Sequence, residues 1–215
     1  MNRRGVLAAV SVLIALIAPV VTFAGDDVVE TGRLLAIVLD AGRGGVAAIQ
    51  PLINDASKGD KGFTPDVFSQ QLAEKFKART SVDLGNLKGG GVPELAQKLL
   101  PELVAAAKQT VADNQATINK PDVKYKGFTP AHFGTQPAAG FSAKTGIYMK
   151  QTTTDGLLRN PNNKADDFET GKMKELGDPG YPRQGDKIMS ETVGGAVRVM
   201  LPLFYGKGCL GCHGE

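Results

Sequence analysis

The chain has 215 residues, with 25 Lys and Arg against 22 Asp and Glu, and a formal charge of +3 offers no basic field to steer it to nucleic acid. Its two cysteines stand three residues apart, which excludes any disulfide framework beyond a bridge between those two. Trp is absent and Gly abundant, so a large apolar prosthetic group would add substantially to the core.

Met1-Asn2-Arg3-Arg4 precedes an apolar stretch from Val6 to Val21, which Pro19 interrupts before Ala24 and the acidic pair Asp26-Asp27. A positive n-region, a short apolar h-region and a small residue at the cut make a secretory signal peptide. Cleavage after Ala24 is expected; it removes Arg3 and Arg4 and lowers the formal charge from +3 to +1. The alternative is an uncleaved membrane anchor, for which the Pro-broken stretch falls short of the about 20 apolar residues that a spanning helix needs. The expected location is therefore periplasmic or secreted.

From Asp26 to Asn54, apolar residues at Val28, Leu34, Leu35, Val38, Leu39, Val46 and Ile49 predict one long amphipathic helix, weakened at Gly44-Gly45. Lys61-Gly62-Phe63-Thr64-Pro65 then recurs as Lys126-Gly127-Phe128-Thr129-Pro130, and 61–80 matches 126–145 at 11 of 20 positions, which points to a local duplication. In each copy Thr is a good N-cap and Pro suits the first helical position, so each starts a helix. Phe68, Leu72 and Phe76 line one face of the first; Pro137 is expected to stop the second after about two turns. Between them a helix from Pro93 to about Thr117 carries Leu95, Leu99, Leu103 and Ala106 on one side. Ile147 to Thr153 reads as a strand, Asn160-Pro161-Asn162-Asn163 as a turn and Ala165 to Leu176 as a short polar helix. The acidic group Asp166-Asp167-Glu169 is expected to be the solvated start of that helix. Lys187 to Val193 and Ala196 to Phe204 read as two strands joined at Gly194-Gly195.

The last strand leads into Cys209-Leu210-Gly211-Cys212-His213. Two thiols two residues apart reach the two vinyl groups of a haem, and the adjacent imidazole swings onto its iron, so Cys209 and Cys212 are the expected thioether links and His213 the proximal ligand of one covalent haem c. A thioredoxin-like pair would open a helix inside a βαβ unit. A zinc site would need two more ligands, against one other histidine and no other cysteine.

For the sixth position His132 is one candidate, in the slot that Val67 fills in the first copy of the repeat. Met149, Met173, Met189 and Met200 are others, and an open site is the third possibility. Arg159, held before a rigid Asn-Pro turn, leads the donors for the haem propionates, ahead of Lys150, Tyr148 and Arg198. No paired carboxylates, nucleophile-base set or phosphate loop points to an enzyme.

Lys126 to Phe133, the segment from Thr152 to Glu169 with its Leu158-Arg159-Asn160-Pro161-Asn162 core, and Gly208 to Gly214 together resemble the Tll-type PAS-like haem c domain family. The resemblance implies an α+β fold, a PAS-like antiparallel β-sheet with long N-terminal helices and a C-terminal haem-attachment motif. The organisation expected is a leader over 1–24, a helical part over 25–120 and a PAS-like haem c part over 121–215, with 25–215 forming one domain. Some relatives carry an additional cysteine as second axial ligand, and this chain has none to match. Signalling relatives continue into transducer segments, whereas this sequence ends two residues past the motif. The expected function is electron transfer in the periplasm by a monohaem cytochrome with a redox partner protein; a haem-based redox or gas sensor is the alternative, and a haem enzyme comes third.

Overall fold

The computed structural model describes residues 7–14, 25–182, 185–206 and 209. In chain order the elements are β1 (Leu7–Ile14), α1 (Gly25–Ile53), α2 (Pro65–Thr80), α3 (Glu94–Asp113), α4 (Gln115–Ile118), α5 (Pro130–Thr145), β2 (Tyr148–Thr153), α6 (Asp167–Leu176), β3 (Met189–Val193) and β4 (Ala196–Phe204). The fold is α+β: helices pack against one antiparallel sheet of strand order β2-β1-β4-β3.

The long helix forms as expected but is not a surface helix. It runs unbroken through Gly44-Gly45, and every residue from Leu34 to Leu39 is buried, so this middle stretch is enclosed by α2, α3, α5 and the sheet, while Gly44, Ala47 and Ala48 are exposed. Its length and apolar character would also suit a membrane crossing, yet here it is the central core helix. Small residues bring its neighbours close. A methyl group on Gly32 would stand 2.6 Å from Cγ2 of Val199 in β4, and one on Gly42 would stand 2.8 Å from Cε1 of Phe133 in α5.

The duplication is visible as paired structure. Gly62 and Gly127 both take positive φ, and Thr64 and Thr129 each accept a hydrogen bond from the backbone N–H three residues on. Thr80 and Thr145 each donate back to the carbonyl four residues earlier, at 2.8 Å in both cases. Phe63 meets Phe68 edge-on at 6.0 Å, Phe128 meets Phe133 edge-on at 6.3 Å, and Phe68 and Phe133 join the copies at 5.2 Å. Such ring pairs contribute about 0.5–1.5 kcal/mol each beyond their area burial. The two lysines of the repeat bind backbone carbonyls where α1 ends: Lys126 donates to Ile53, the last residue of the helix, and Lys61 to Asp55 and Lys58 in the loop that follows. The helix dipole favours cations at that end.

Pro137 does not stop the second helix. α5 continues to Thr145 with Pro137 inside it, buried in line with Phe133 and Phe141. An interior proline costs about 3 kcal/mol, and burial of this apolar stripe against α1 and α3 offsets it. The face of α3 is centred on Leu99 and Leu103 as expected, with Ala96, Leu100 and Ala107 buried beside them, while Leu95 and Ala106 are only partly buried.

Residues 7–14, inside the expected leader, form β1. It pairs antiparallel with β2 on one side and β4 on the other, with Val10, Ser11 and Val12 fully buried. Met149, Gln151, Val199 and Leu201 share the sheet face turned to α1 and α5 with Val10 and Val12. Lys150, Ser11, Met200 and Arg198 share the opposite face, where α6 lies.

Candidate functional site

Three segments converge on one end of the sheet. β4 ends at Phe204, paired with Leu7, and Thr153 at the end of β2 pairs with Ala8 in the neighbouring register position. Tyr205 Oη lies 3.4 Å from Thr153 Oγ1, and Cys209 comes within five residues of the end of β4, half-buried, its backbone N–H donating to the Gly206 carbonyl at 2.9 Å. Cys212 and His213 lie outside the described residues.

α5 runs antiparallel to β2, because Gly146 in the left-handed region turns the chain straight from helix to strand. The Ser142 hydroxyl accepts from the Met149 N–H at 2.9 Å, and Gln151 Nε2 donates to the Ala131 carbonyl at 2.9 Å. The first turn of α5, with His132, therefore stands above the end of β2 nearest Thr153. His132 is exposed, with its ring 6.4 Å from that of Phe128. Val67, its counterpart, is also exposed at 39%, so the position is a surface site in both copies and not an apolar one converted to imidazole.

Directly after β2 come Asp155–Leu157 and Pro161–Asn163, two single turns of 3-10 helix, with Arg159 exposed between them. Asn160 caps the second by accepting from the Asn162 N–H, and Lys164 returns to bridge Thr153. Arg159 is thus anchored on both sides at the end of the sheet from which Cys209 emerges.

The other donors named from sequence are used within the fold. Glu169 is fully buried; Lys150 Nζ stands 2.8 Å from its Oε2, and Arg198 Nη2 stands 3.5 Å from its Oε1. Arg198 also pairs with Asp166 at 2.7 Å and stacks 4.3 Å from the Phe168 ring. Asp166 and Glu169 form a reciprocal capping box; Asp166 and Asp167 are exposed, as expected of a solvated helix start, while Glu169 is buried in an ion-pair cluster. Burial pushes the Asp166 carboxyl up, but the Arg198 hydrogen bond, the Glu169 N–H and the charges of Arg198 and Lys150 together hold it below its usual range. Tyr148 is exposed, beneath the Lys150 ammonium at 5.9 Å. Met149 is packed in the main core and Met173 with Met200 in a second cluster; Met189 is half-buried on β3.

Arg43 was not singled out by sequence. A methyl group on Gly134 would stand 2.6 Å from Gln151 Oε1 and 2.8 Å from Arg43 Cδ, so α1, α5 and β2 meet at that glycine, two residues from His132. Arg43 Nη1 pairs with Asp40 at 2.9 Å, while its Nε is buried and finds no acceptor among the described residues. An arginine between small residues in a long helix has no sequence mark of this kind; only the packing reveals it.

A family model described as Tll0287-like matches residues 25–215. The chain belongs to the Tll0287-like family. This is the PAS-like haem c domain family that the sequence resembles, and the match begins one residue past Ala24 and runs through the attachment motif. No curated protein and no solved structure matches the chain. Membership in the family is consistent with haem c binding, and the apolar segment ahead of the matched region is compatible with a signal peptide. The residues at this end of the sheet suit such a group: a thiol on the strand exit, an imidazole on a surface turn, Arg159 on an anchored loop, and a buried guanidinium N–H awaiting an acceptor.

Proposed function

We propose that the chain is an exported monohaem c-type cytochrome of the periplasm that transfers electrons to a redox partner protein, with a PAS-like sheet as its frame. Cys209 and Cys212 would hold the haem covalently, His213 would supply one ligand to its iron, and His132 is the leading candidate for a second. The observation that carries the reading is convergence: α5, the loop after β2 and the exit of β4 bring His132, Arg159 and Cys209 to one end of one sheet.

The haem, once attached, supplies a one-electron couple. The chain sets its environment through axial ligation, burial and nearby charge. Arg159, exposed on the loop after β2, and Arg43, with an unused buried Nε–H, would hold propionates by charge-assisted hydrogen bonds. Rigid seating keeps reorganisation small during electron transfer, and the duplicated caps and aromatic joint hold the first turn of α5 in place.

Visible absorption of the purified protein tests the reading. A low-spin six-coordinate spectrum indifferent to carbon monoxide supports the carrier. Rapid high-spin binding of carbon monoxide would reject the simple carrier in favour of the sensor.

A further inference from the structure

Strand β1 occupies the middle of the sheet, yet its residues carry the layout of a leader, and the family match begins only at residue 25. Removal of residues 1–24 leaves β2 and β4 separated by the width of one strand, about 10 Å between their axes. Because each is antiparallel to β1, the two walls run parallel to one another.

The walls are not free to close. On one face β2 is tied to α5 through Gln151 and the Met149 N–H, and β4 is tied to α1 where Val199 fits against Gly32. α1 and α5 interlock at Gly42 against Phe133 and at Gly134 against Arg43. On the other face Glu169 bridges the walls, pairing with Lys150 of β2 and Arg198 of β4. A closing shift of about one strand spacing, 4.8 Å, would disrupt both connections. An open slot would instead leave two rows of backbone donors and acceptors unpaired in an apolar trough, which native folds avoid.

We propose that the slot between β2 and β4 in the processed chain is an acceptor site for one extended strand supplied by a partner polypeptide. The strand seen there defines the chemistry. The occupant runs antiparallel to both walls and pairs with both over the length of Ala8 to Leu13. It presents branched apolar side chains where Val10 and Val12 meet the helix layer. Between them stands a small polar residue, as Ser11 does, facing the side where Glu169 Oε1 and Arg198 Nε lack hydrogen-bond partners among the described residues. Backbone pairing gives affinity and the alternating side chains give selectivity, as in other strand additions. The proposal rests on leader removal and is independent of the haem reading.

The test uses the haem-loaded protein exported by a bacterial host, with its N-terminus fixed by mass. The probes are a Lys-flanked peptide of residues 6–15 and the same peptide with Val12→Asp. Hydrogen exchange is monitored at the slot-facing amides of Tyr148–Thr153 and Val197–Phe204. We expect those amides to exchange freely alone, to slow at least about tenfold with saturating peptide, and to ignore the Asp peptide. Protection without peptide, whether from a closed sheet or from a retained β1, would overturn the proposal. So would equal responses to the two peptides, or no response at all.

Discussion

Loss of Glu169 should be the most damaging single change on the α6 side of the sheet. Its carboxylate is fully buried between Lys150 and Arg198, whose side chains are 11% and 9% exposed. Replacing Glu169 by Gln keeps the size and an acceptor for the capping box but leaves two nearly buried cations short of charge. Breaking a buried ion pair costs about 3–5 kcal/mol. Asp166→Ala removes a cap and a pair that is half-exposed on the acid side, worth about 1–2 kcal/mol together. Urea unfolding monitored by circular dichroism measures both: Glu169→Gln should lower the midpoint at unchanged m-value, by about twice as much as Asp166→Ala. Equal effects, or a loss below about 1 kcal/mol for Glu169→Gln, would refute the view that this carboxylate compensates two cations. A cycle with Lys150→Met adds a second check, since the pair is in contact and should couple by at least about 0.5 kcal/mol.

Cys209→Ala or Cys212→Ala should abolish haem that survives denaturing electrophoresis, read by haem staining, while His132→Ala should change the low-spin absorption bands and leave covalent attachment intact. Gly42→Ala and Gly44→Ala sit two residues apart in α1 and should have opposite signs. The first methyl meets the Phe133 ring at 2.8 Å and should cost about 1–3 kcal/mol; the second meets open space and should gain up to about 1 kcal/mol in thermal unfolding. Asp166 has a folded pKa held below its unfolded value, so its contribution is present above about pH 4 and is lost as pH falls through the folded pKa. Stability measured from pH 6 down to pH 3 should therefore decline less in Asp166→Asn than in the parent.

Local chemistry made most elements legible in the sequence. The Thr-Pro starts of α2 and α5, the apolar spacing of α1 and the Gly194-Gly195 turn between β3 and β4 each carry their own signal. The features that stayed hidden depend on long-range packing. Pro137 reads as a stop because its missing N–H is local, while the stripe of Phe133, Pro137 and Phe141 that outweighs it is tertiary. The burial of Glu169 at the otherwise solvated start of α6 stays hidden because its cationic partners, Lys150 and Arg198, come from two separate strands. β1 was hidden by its composition, since a leader's apolar run and a buried strand use the same residues. At the candidate site the covalent motif and His132 were visible as residue types, whereas Arg43 emerges only where Gly134 lets three elements touch.

The duplicated segment shows which positions can vary without loss of fold. The shared Lys, Gly, Phe, Thr and Pro residues bind backbone carbonyls at the end of α1 and in the loop after it, set the turn, build the aromatic joint and start the helix, so each is tied to structure in both copies. Positions 67 and 132 differ, and both face outward on the first helical turn, where substitution changes stability by less than about 0.5 kcal/mol. His132→Val, which restores the residue of the first copy, should accordingly leave the unfolding midpoint of the protein unchanged within that margin. Any change in the haem spectrum of that variant then reports ligation and not folding. The two copies differ in how the chain continues beyond them: α5 turns directly into β2, which carries its first turn to the end of the sheet where Cys209 emerges, whereas α2 passes into the loop leading to α3. The same surface position was thus available twice, and only the copy joined to the sheet carries its side chain to the end of the sheet that continues into Cys209.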